Sequence, residues 1–254
     1  MHRRRVPIMM LLASALFTVA AWGAPFSLEA LDAITARVRA MVASELVPVV
    51  YVDLDDTVFV NSGRYEFLLR EFDAISGTSY FSHLRPGDIP YAKREPLVRK
   101  AVTAAGLEVR AREQVISDAM AYLKKNWKRP GIHLRDHLHQ PVVEKILLWK
   151  SLGARIVYIT ARHRNYAKQS GEQIATAGLP IDGIFHVGYS NEKVGVLKAD
   201  AVTKYESSHV DEKIVSVAFL DDQGPTIAAL ESVHPAMASL EVTISGCEAL
   251  LVQP

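Results

Sequence analysis

The chain lacks most of the features that define specialised classes of protein. It contains one cysteine, Cys247, among 254 residues, so an intrachain disulfide is excluded and its fold must be held together by its core. After the N-terminal region, no segment reaches the ~20 consecutive apolar residues that cross a bilayer. A formal net charge of +1 gives no electrostatic reason to expect nucleic acid as a partner. With 49% apolar residues, the length suits one well-packed domain with an insertion, or two small domains.

The first 23 residues have the composition of a signal peptide. A basic run at residues 3–5 precedes an apolar stretch at 7–21, and small residues stand at Ala21 and Gly23. The alternative, a membrane anchor, requires a longer apolar run. We therefore expect residues 1–23 to be removed and the mature chain to be periplasmic or secreted, with no stable membrane span after cleavage.

Carboxylates follow the first predicted strand. An apolar, β-branched segment at residues 48–54 predicts a buried strand, and Asp53, Asp55 and Asp56 lie at its carboxyl end. Clustered carboxylates repel one another and lose hydration unless a cation or hydrogen-bond donors compensate. The arrangement suits a carboxylate nucleophile beside a divalent metal, with a second carboxyl as proton donor. The structural alternative is a turn that caps a helix.

Strands and helices alternate along the second half of the chain. Predicted helices separate four predicted strands, at residues 155–160, 183–187, 214–220 and 240–244. Apolar strands alternating with helices are typical of an α/β fold, here a Rossmann-like three-layer arrangement with a parallel sheet. Ligands bind such sheets beyond the carboxyl ends of the strands, where Thr160, Asp221 and Asp222 stand.

The ordered set of these motifs resembles the haloacid dehalogenase superfamily. It consists of Asp-Leu-Asp-Asp-Thr at residues 53–57, Ile-Thr at 159–160, a lysine after the third strand, and Leu-Asp-Asp at 220–222. Each motif is weak alone, but their order on matching elements is specific. The acid two residues after the first aspartate is typical of the phosphatases and phosphotransferases of this superfamily. The form of the first motif is similar to that of its exported acid phosphatases.

The resemblance implies a role for each of these residues. Asp53 is the expected nucleophile, forming an aspartyl-phosphate, and Asp55 the expected general acid and then base. Thr160 and a lysine are expected to bind the phosphoryl oxygens. Asp53, Asp55 (through its backbone carbonyl), Asp221 and Asp222 are the expected ligands of Mg²⁺, which would offset the repulsion between an anionic nucleophile and an anionic phosphoryl group.

The resemblance leaves three positions open or unusual. Lys193 opens a predicted helix in a pattern similar to that of family phosphatases and is the preferred phosphate-binding lysine, whereas Lys198 lies closer in sequence to the acidic pair. Asp56 stands where glycine is usual. Arg162 either helps to bind the substrate anion or is an exposed charge without a role.

By the same resemblance, residues 58–138 form a helical cap inserted into a core made of residues 24–57 and 139–254. A cap of this size is expected to close over a small phosphorylated substrate, whose identity the sequence does not indicate. Three histidines at positions 133, 137 and 139 suggest zinc only weakly, because no HExxH motif is present.

Two alternatives to a phosphatase remain open. A phosphotransferase of the same fold would let an alcohol replace water in the second step. A catalytically degenerate, exported member would bind phosphorylated ligands or act as an interaction protein. The sequence does not predict the oligomeric state.

Overall fold

The computed structural model describes residues 26–82, 84, 94–104, 107–188, 194–243 and 251–252. The expected signal peptide and Cys247 lie outside these residues. Within them, no helix combines the length and the apolar character needed to cross a membrane.

A five-stranded parallel sheet forms the centre of the fold. Its strands are β1 (Val47–Val52), β4 (Arg155–Thr160), β5 (Gly183–His186), β6 (Ile214–Asp221) and β7 (Ala238–Glu241), in the order β5-β4-β1-β6-β7. Val52 at the end of β1 is paired with Tyr158 on one side and Leu220 on the other. The carboxyl ends of β4, β1 and β6 therefore meet at one rim.

Helices cover both faces of this sheet. They are α1 (Leu28–Ala43), α5 (Gln140–Ser151), α6 (Ala167–Thr176), α7 (Val194–Ser207) and α8 (Gly224–Val233).

Alternate residues of β1 point into two separate cores. Val50 and Val52 pack with residues of α1, α5 and α6, whereas Val49 and Tyr51 pack with residues of α7 and α8. This alternation follows from the period of two in a strand and makes β1 apolar throughout. The predicted three-layer α/β fold is confirmed.

A helical segment, residues 62–135, follows the first motif. It contains α2 (Ser62–Ser76), α3 (Arg94–Ala104), α4 (Val109–Asn126) and a short 3-10 helix, Ile132–Arg135. These elements surround an apolar core of their own, which includes Leu68, Phe72, Phe81, Ile116 and Leu123. That this segment acts as a cap remains a prediction.

Two short antiparallel strands connect the helical segment to the rest of the chain. β2 (Phe59–Val60) pairs with β3 (His137–His139), and β3 also pairs with β8 (Leu251–Val252). The start of α2 lies close against the 3-10 helix and β3: a Cβ added to Gly63 would overlap the carbonyl oxygen of Arg135 and would stand 2.8 Å from the His137 ring. Both ends of the helical segment are thus fixed side by side.

Candidate active site

The loop after β1 is a tight turn closed by Asp56. The Asp53 N–H donates to the carbonyl oxygen of Leu220 (2.9 Å), which ties the start of this loop to β6. Asp56 has φ +58°, a left-handed conformation that glycine adopts most easily and that aspartate tolerates better than most residues. Its carboxyl oxygens accept hydrogen bonds from the backbone N–H (2.9 Å) and the side-chain amide (2.6 Å) of Asn61. These bonds explain how aspartate replaces the usual glycine.

Lys198 on α7 lies between two of the predicted site carboxylates. Its Nζ donates to Asp53 Oδ1 (2.7 Å) and to Asp221 Oδ2 (2.6 Å), and the residue is only 2% exposed. The other Asp221 oxygen accepts from the Gln223 N–H at 2.9 Å. The preferred lysine, Lys193, lies outside the described residues, so the alternative, Lys198, is the lysine that the structure places in the site.

Burial and mutual repulsion perturb these carboxyls. The pKa of Asp53 is raised to about 7. Burial is the main cause of the raised pKa, the charges of Asp221 and Asp55 add to it, and Lys198 opposes it. Burial likewise raises the pKa of Asp221 to about 6, with Lys198 opposing and Asp222 adding to the rise. The site therefore holds more negative charge than one ammonium group stabilises.

Asp53, Asp221 and Asp222 fit a divalent cation. One oxygen from each carboxylate can be chosen such that all three lie within 4.8 Å of one another. With Lys198 charged, three ionised carboxylates leave a net charge of −2, which one divalent ion would neutralise. Carboxylate oxygens are also the ligands that Mg²⁺ prefers.

Asp55 forms a bidentate ion pair with Arg162. Arg162 Nε donates to Asp55 Oδ2 (2.7 Å) and Nη2 donates to Oδ1 (2.8 Å), while Nη1 donates to the Ser170 hydroxyl (3.2 Å). Burial acts to raise the pKa of Asp55, but the charge and hydrogen bonds of Arg162 lower it below the ordinary value. The Arg162 side chain is only 12% exposed, so it is not a solvated surface charge.

Thr160 lies at the rim as the last residue of β4. It is 1% exposed, and its hydroxyl oxygen accepts a long hydrogen bond from the Arg162 N–H at 3.2 Å. This bond is typical of a residue that orders the turn after a strand. Its predicted role in phosphate binding stays a prediction.

A cleft of about 1070 Å³ opens between the rim and the helical segment. From the rim it is lined by Asp53, Asp55, Arg162, Lys198 and Asp222, and from the helical segment by Arg64, Trp127, Lys128 and His133. The carboxylates that could attack or bind a metal therefore share one cleft with several lysine and arginine side chains.

A buried polar network, which no sequence motif indicates, anchors the segment's side of the cleft. Arg64 pairs with Asp136 through Nε–H···Oδ1 (3.0 Å) and a second bond from Nη2, and its guanidinium lies 4.5 Å from the centre of the Trp127 ring. Gln173 on α6 donates to Asp136 Oδ2 (3.0 Å) and to the His133 carbonyl oxygen (2.6 Å). Through Asp136, the network connects α2 to α6.

The three histidines occupy separate environments. His133 is in the short 3-10 helix, His137 lies 3.4 Å from a Glu66 carboxyl oxygen, and His139 Nδ1 is 3.2 Å from the Thr57 carbonyl oxygen. Among the described residues, they belong to no group with the spacing of metal ligands, unlike the three aspartates.

Comparison with known proteins finds similarity only at the level of solved structures. No family model and no curated protein matches the chain. A hydrolase from Streptococcus pneumoniae TIGR4 is similar with a TM-score of 0.46 and 13% identity, over 79% of this chain and 96% of that chain. A haloacid dehalogenase-like family hydrolase from Xanthomonas campestris has a TM-score of 0.35 and 16% identity, over 81% and 94%.

The Pnkp1/Rnl/Hen1 RNA repair complex contains a further similar chain, with a TM-score of 0.43 and 14% identity over 78% of this chain. The present chain spans less than half, 43%, of that chain's length. All three likenesses are distant, and none indicates the function of this chain.

Proposed function

We propose that this protein is a Mg²⁺-dependent phosphomonoester hydrolase, a phosphatase of the haloacid dehalogenase type. The observation that carries the proposal is the convergence of Asp53, Lys198, Asp221 and Asp222 at one sheet rim. These residues come from a strand end, a helix and a second strand end, with up to 168 positions between them in the sequence. Such a largely buried, net negative cluster facing a cleft is costly unless a cation binds it, and a bound cation would in turn attract an anionic substrate.

In the first step the Asp53 carboxylate attacks the phosphorus atom. The bond from phosphorus to the ester oxygen breaks, and Asp55 in its protonated form donates a proton to the leaving alcohol. Lys198 and Thr160 would bind oxygens of the transferring phosphoryl group. Mg²⁺ held by Asp53, Asp221 and Asp222 would neutralise negative charge on that group.

In the second step water hydrolyses the aspartyl-phosphate. Asp55, now a carboxylate, takes a proton from water while the water oxygen bonds to phosphorus. The bond between phosphorus and the Asp53 oxygen breaks, which restores the Asp53 carboxylate and releases inorganic phosphate. An alcohol in place of water would make the same site a phosphotransferase.

The location and size of the cleft support a small phosphorylated substrate. The cleft is a concave space between the rim and the helical segment, and so suits a small ester better than a protein surface. The basic and apolar N-terminal 23 residues support a periplasmic or secreted enzyme.

The proposal is tested by hydrolysis of p-nitrophenyl phosphate by residues 24–254, with Mg²⁺ or with EDTA. We expect release of nitrophenolate only with Mg²⁺ and none from Asp53→Asn. Asp200→Asn, which changes an exposed aspartate of α7, is the matched control and should keep wild-type activity.

Equal activity of Asp53→Asn and wild type would refute the proposed nucleophile. If the wild type binds Mg²⁺ but turns over neither this ester nor a panel of natural phosphomonoesters, the chain is a binding protein instead.

A further inference from the structure

The ion pair between Arg162 and Asp55 affects the two catalytic steps differently, because Asp55 acts as an acid in the first step and as a base in the second. Both Asp55 carboxyl oxygens accept hydrogen bonds from Arg162, at 2.7 and 2.8 Å. Arg162 occupies one lone pair on each oxygen, and each oxygen keeps a second lone pair that can take up a proton from water. The ion pair therefore orients the Asp55 carboxylate for the role of a base.

The pair is also held in a fixed orientation. A bidentate contact between a planar guanidinium and a carboxylate restricts the rotation of both groups. Ser170 on α6 accepts a third hydrogen bond from Arg162 at 3.2 Å, and Ser170 is fully buried. The Asp55 side chain itself remains 34% exposed and lines the cleft, so water can reach it.

We propose that Arg162 is a positioning residue for the second step, one that sets Asp55 as the base that activates water. This inference rests on the proposed function. In that step a proton passes from water to the Asp55 carboxylate, while the new phosphorus–oxygen bond forms and the bond to Asp53 breaks. The first step requires a protonated Asp55 only when the leaving group cannot depart as an anion. The nitrophenolate of p-nitrophenyl phosphate can depart as an anion, so with this ester the first step needs no acid.

Pre-steady-state kinetics with p-nitrophenyl phosphate separate the two steps. For Arg162→Met we expect kcat to fall on the order of 100-fold, the scale of a lost general base, while kcat/KM changes by only a few-fold. Nitrophenolate should appear in a burst of about one equivalent per enzyme, because the aspartyl-phosphate accumulates.

Three further variants make the test specific. Arg162→Lys keeps a charge but offers Asp55 a point contact in place of the fork, so its kcat should lie between those of Arg162→Met and wild type. Ser170→Ala should lower kcat in the same sense by a smaller factor, with the fold kept. Arg164→Met, which changes an exposed neighbouring arginine, should match the wild type.

Several results would overturn the inference. If kcat/KM falls as much as kcat, without a burst, Arg162 binds the substrate phosphoryl group instead. Unchanged kcat in both Arg162→Lys and Ser170→Ala would also refute it, even where Arg162→Met does not fold. A wild type that turns over neither this ester nor the panel of natural phosphomonoesters would refute the proposed function itself, so the two failures are distinguishable.

Discussion

Replacing Asp136 by asparagine should destabilise the fold far more than breaking an exposed ion pair. Asp136 is fully buried and accepts hydrogen bonds from Arg64 and Gln173. Asparagine has nearly the same shape as aspartate. The Asp136→Asn variant nevertheless leaves the Arg64 charge buried without a counterion, and its amide NH₂ faces the N–H donors of Arg64 or Gln173. Removing one partner of a buried pair costs about 3–5 kcal/mol. That is a large fraction of the roughly 5–15 kcal/mol by which proteins are stable.

The magnitude follows from burial. Burial raises the pKa of Asp136 above its ordinary value even with Arg64 beside it, so desolvation outweighs the attraction between the two charges. The pair as a whole is therefore not a net source of stability, although leaving either partner alone would be costly. Replacing both residues, in Arg64→Leu combined with Asp136→Leu, should return the free energy of unfolding to within about 1–2 kcal/mol of the wild type.

Urea denaturation followed by circular dichroism measures these differences. The control is Glu212→Gln, which breaks the partly exposed pair with Arg155 and should cost less than about 1 kcal/mol. The reasoning is refuted if Asp136→Asn costs no more than Glu212→Gln, or if the double variant is as unstable as the single one.

Three further predictions concern stability. Gly63→Ala should lower the urea midpoint, with a loss of about 1–3 kcal/mol in the free energy of unfolding, because its Cβ would overlap the Arg135 carbonyl oxygen; an unchanged midpoint would mean that α2 can shift away from the 3-10 helix. Burial lowers the pKa of His139 below 6.5, so the neutral ring stabilises the fold above that pH and this contribution is lost as pH falls. His139→Gln should therefore reduce the loss of unfolding free energy between pH 7.5 and 5 in urea titrations. An identical loss in the variant and the wild type would exclude this cause. Mg²⁺ at about 100 times its Kd should stabilise the wild type by about 2.7 kcal/mol in thermal unfolding, and Asp222→Asn should lose most of this gain; equal gains would contradict the proposed ligand set.

Strongly periodic elements could be predicted from the sequence. The bounds of β4 agree with those predicted because an apolar run ends there in a polar turn, and β5 and β6 each end within one residue of the predicted position. The meeting of Asp53, Asp221 and Asp222 at one rim could also be anticipated, because parallel strands place their carboxyl ends at the same edge of a sheet.

Features that depend on packing between distant residues could not be predicted. The packing of α7 against the sheet brings Lys198 to Asp53, and the short motif around Lys193 does not carry that information. Arg64 and Asp136 are 72 residues apart and belong to no motif. β2 has only two residues, too few for any period to be visible. Arg162 is a charged residue in a turn, where the sequence predicts an exposed side chain. Its ion pair with the distant residue Asp55 explains why the side chain is largely buried.

The pairing of β1 with β6 determines when, during folding, the proposed active site can form. Val52 and Leu220 become neighbours although the chain between them contains most of the protein. Joining such distant segments has a high entropic barrier and is a late event in folding when nothing local guides it. Asp53 and the acidic pair therefore come together only after most of the chain is available. A nascent or truncated chain that ends before β6 would lack the proposed activity, and the onset of that activity during refolding would report completion of the central sheet.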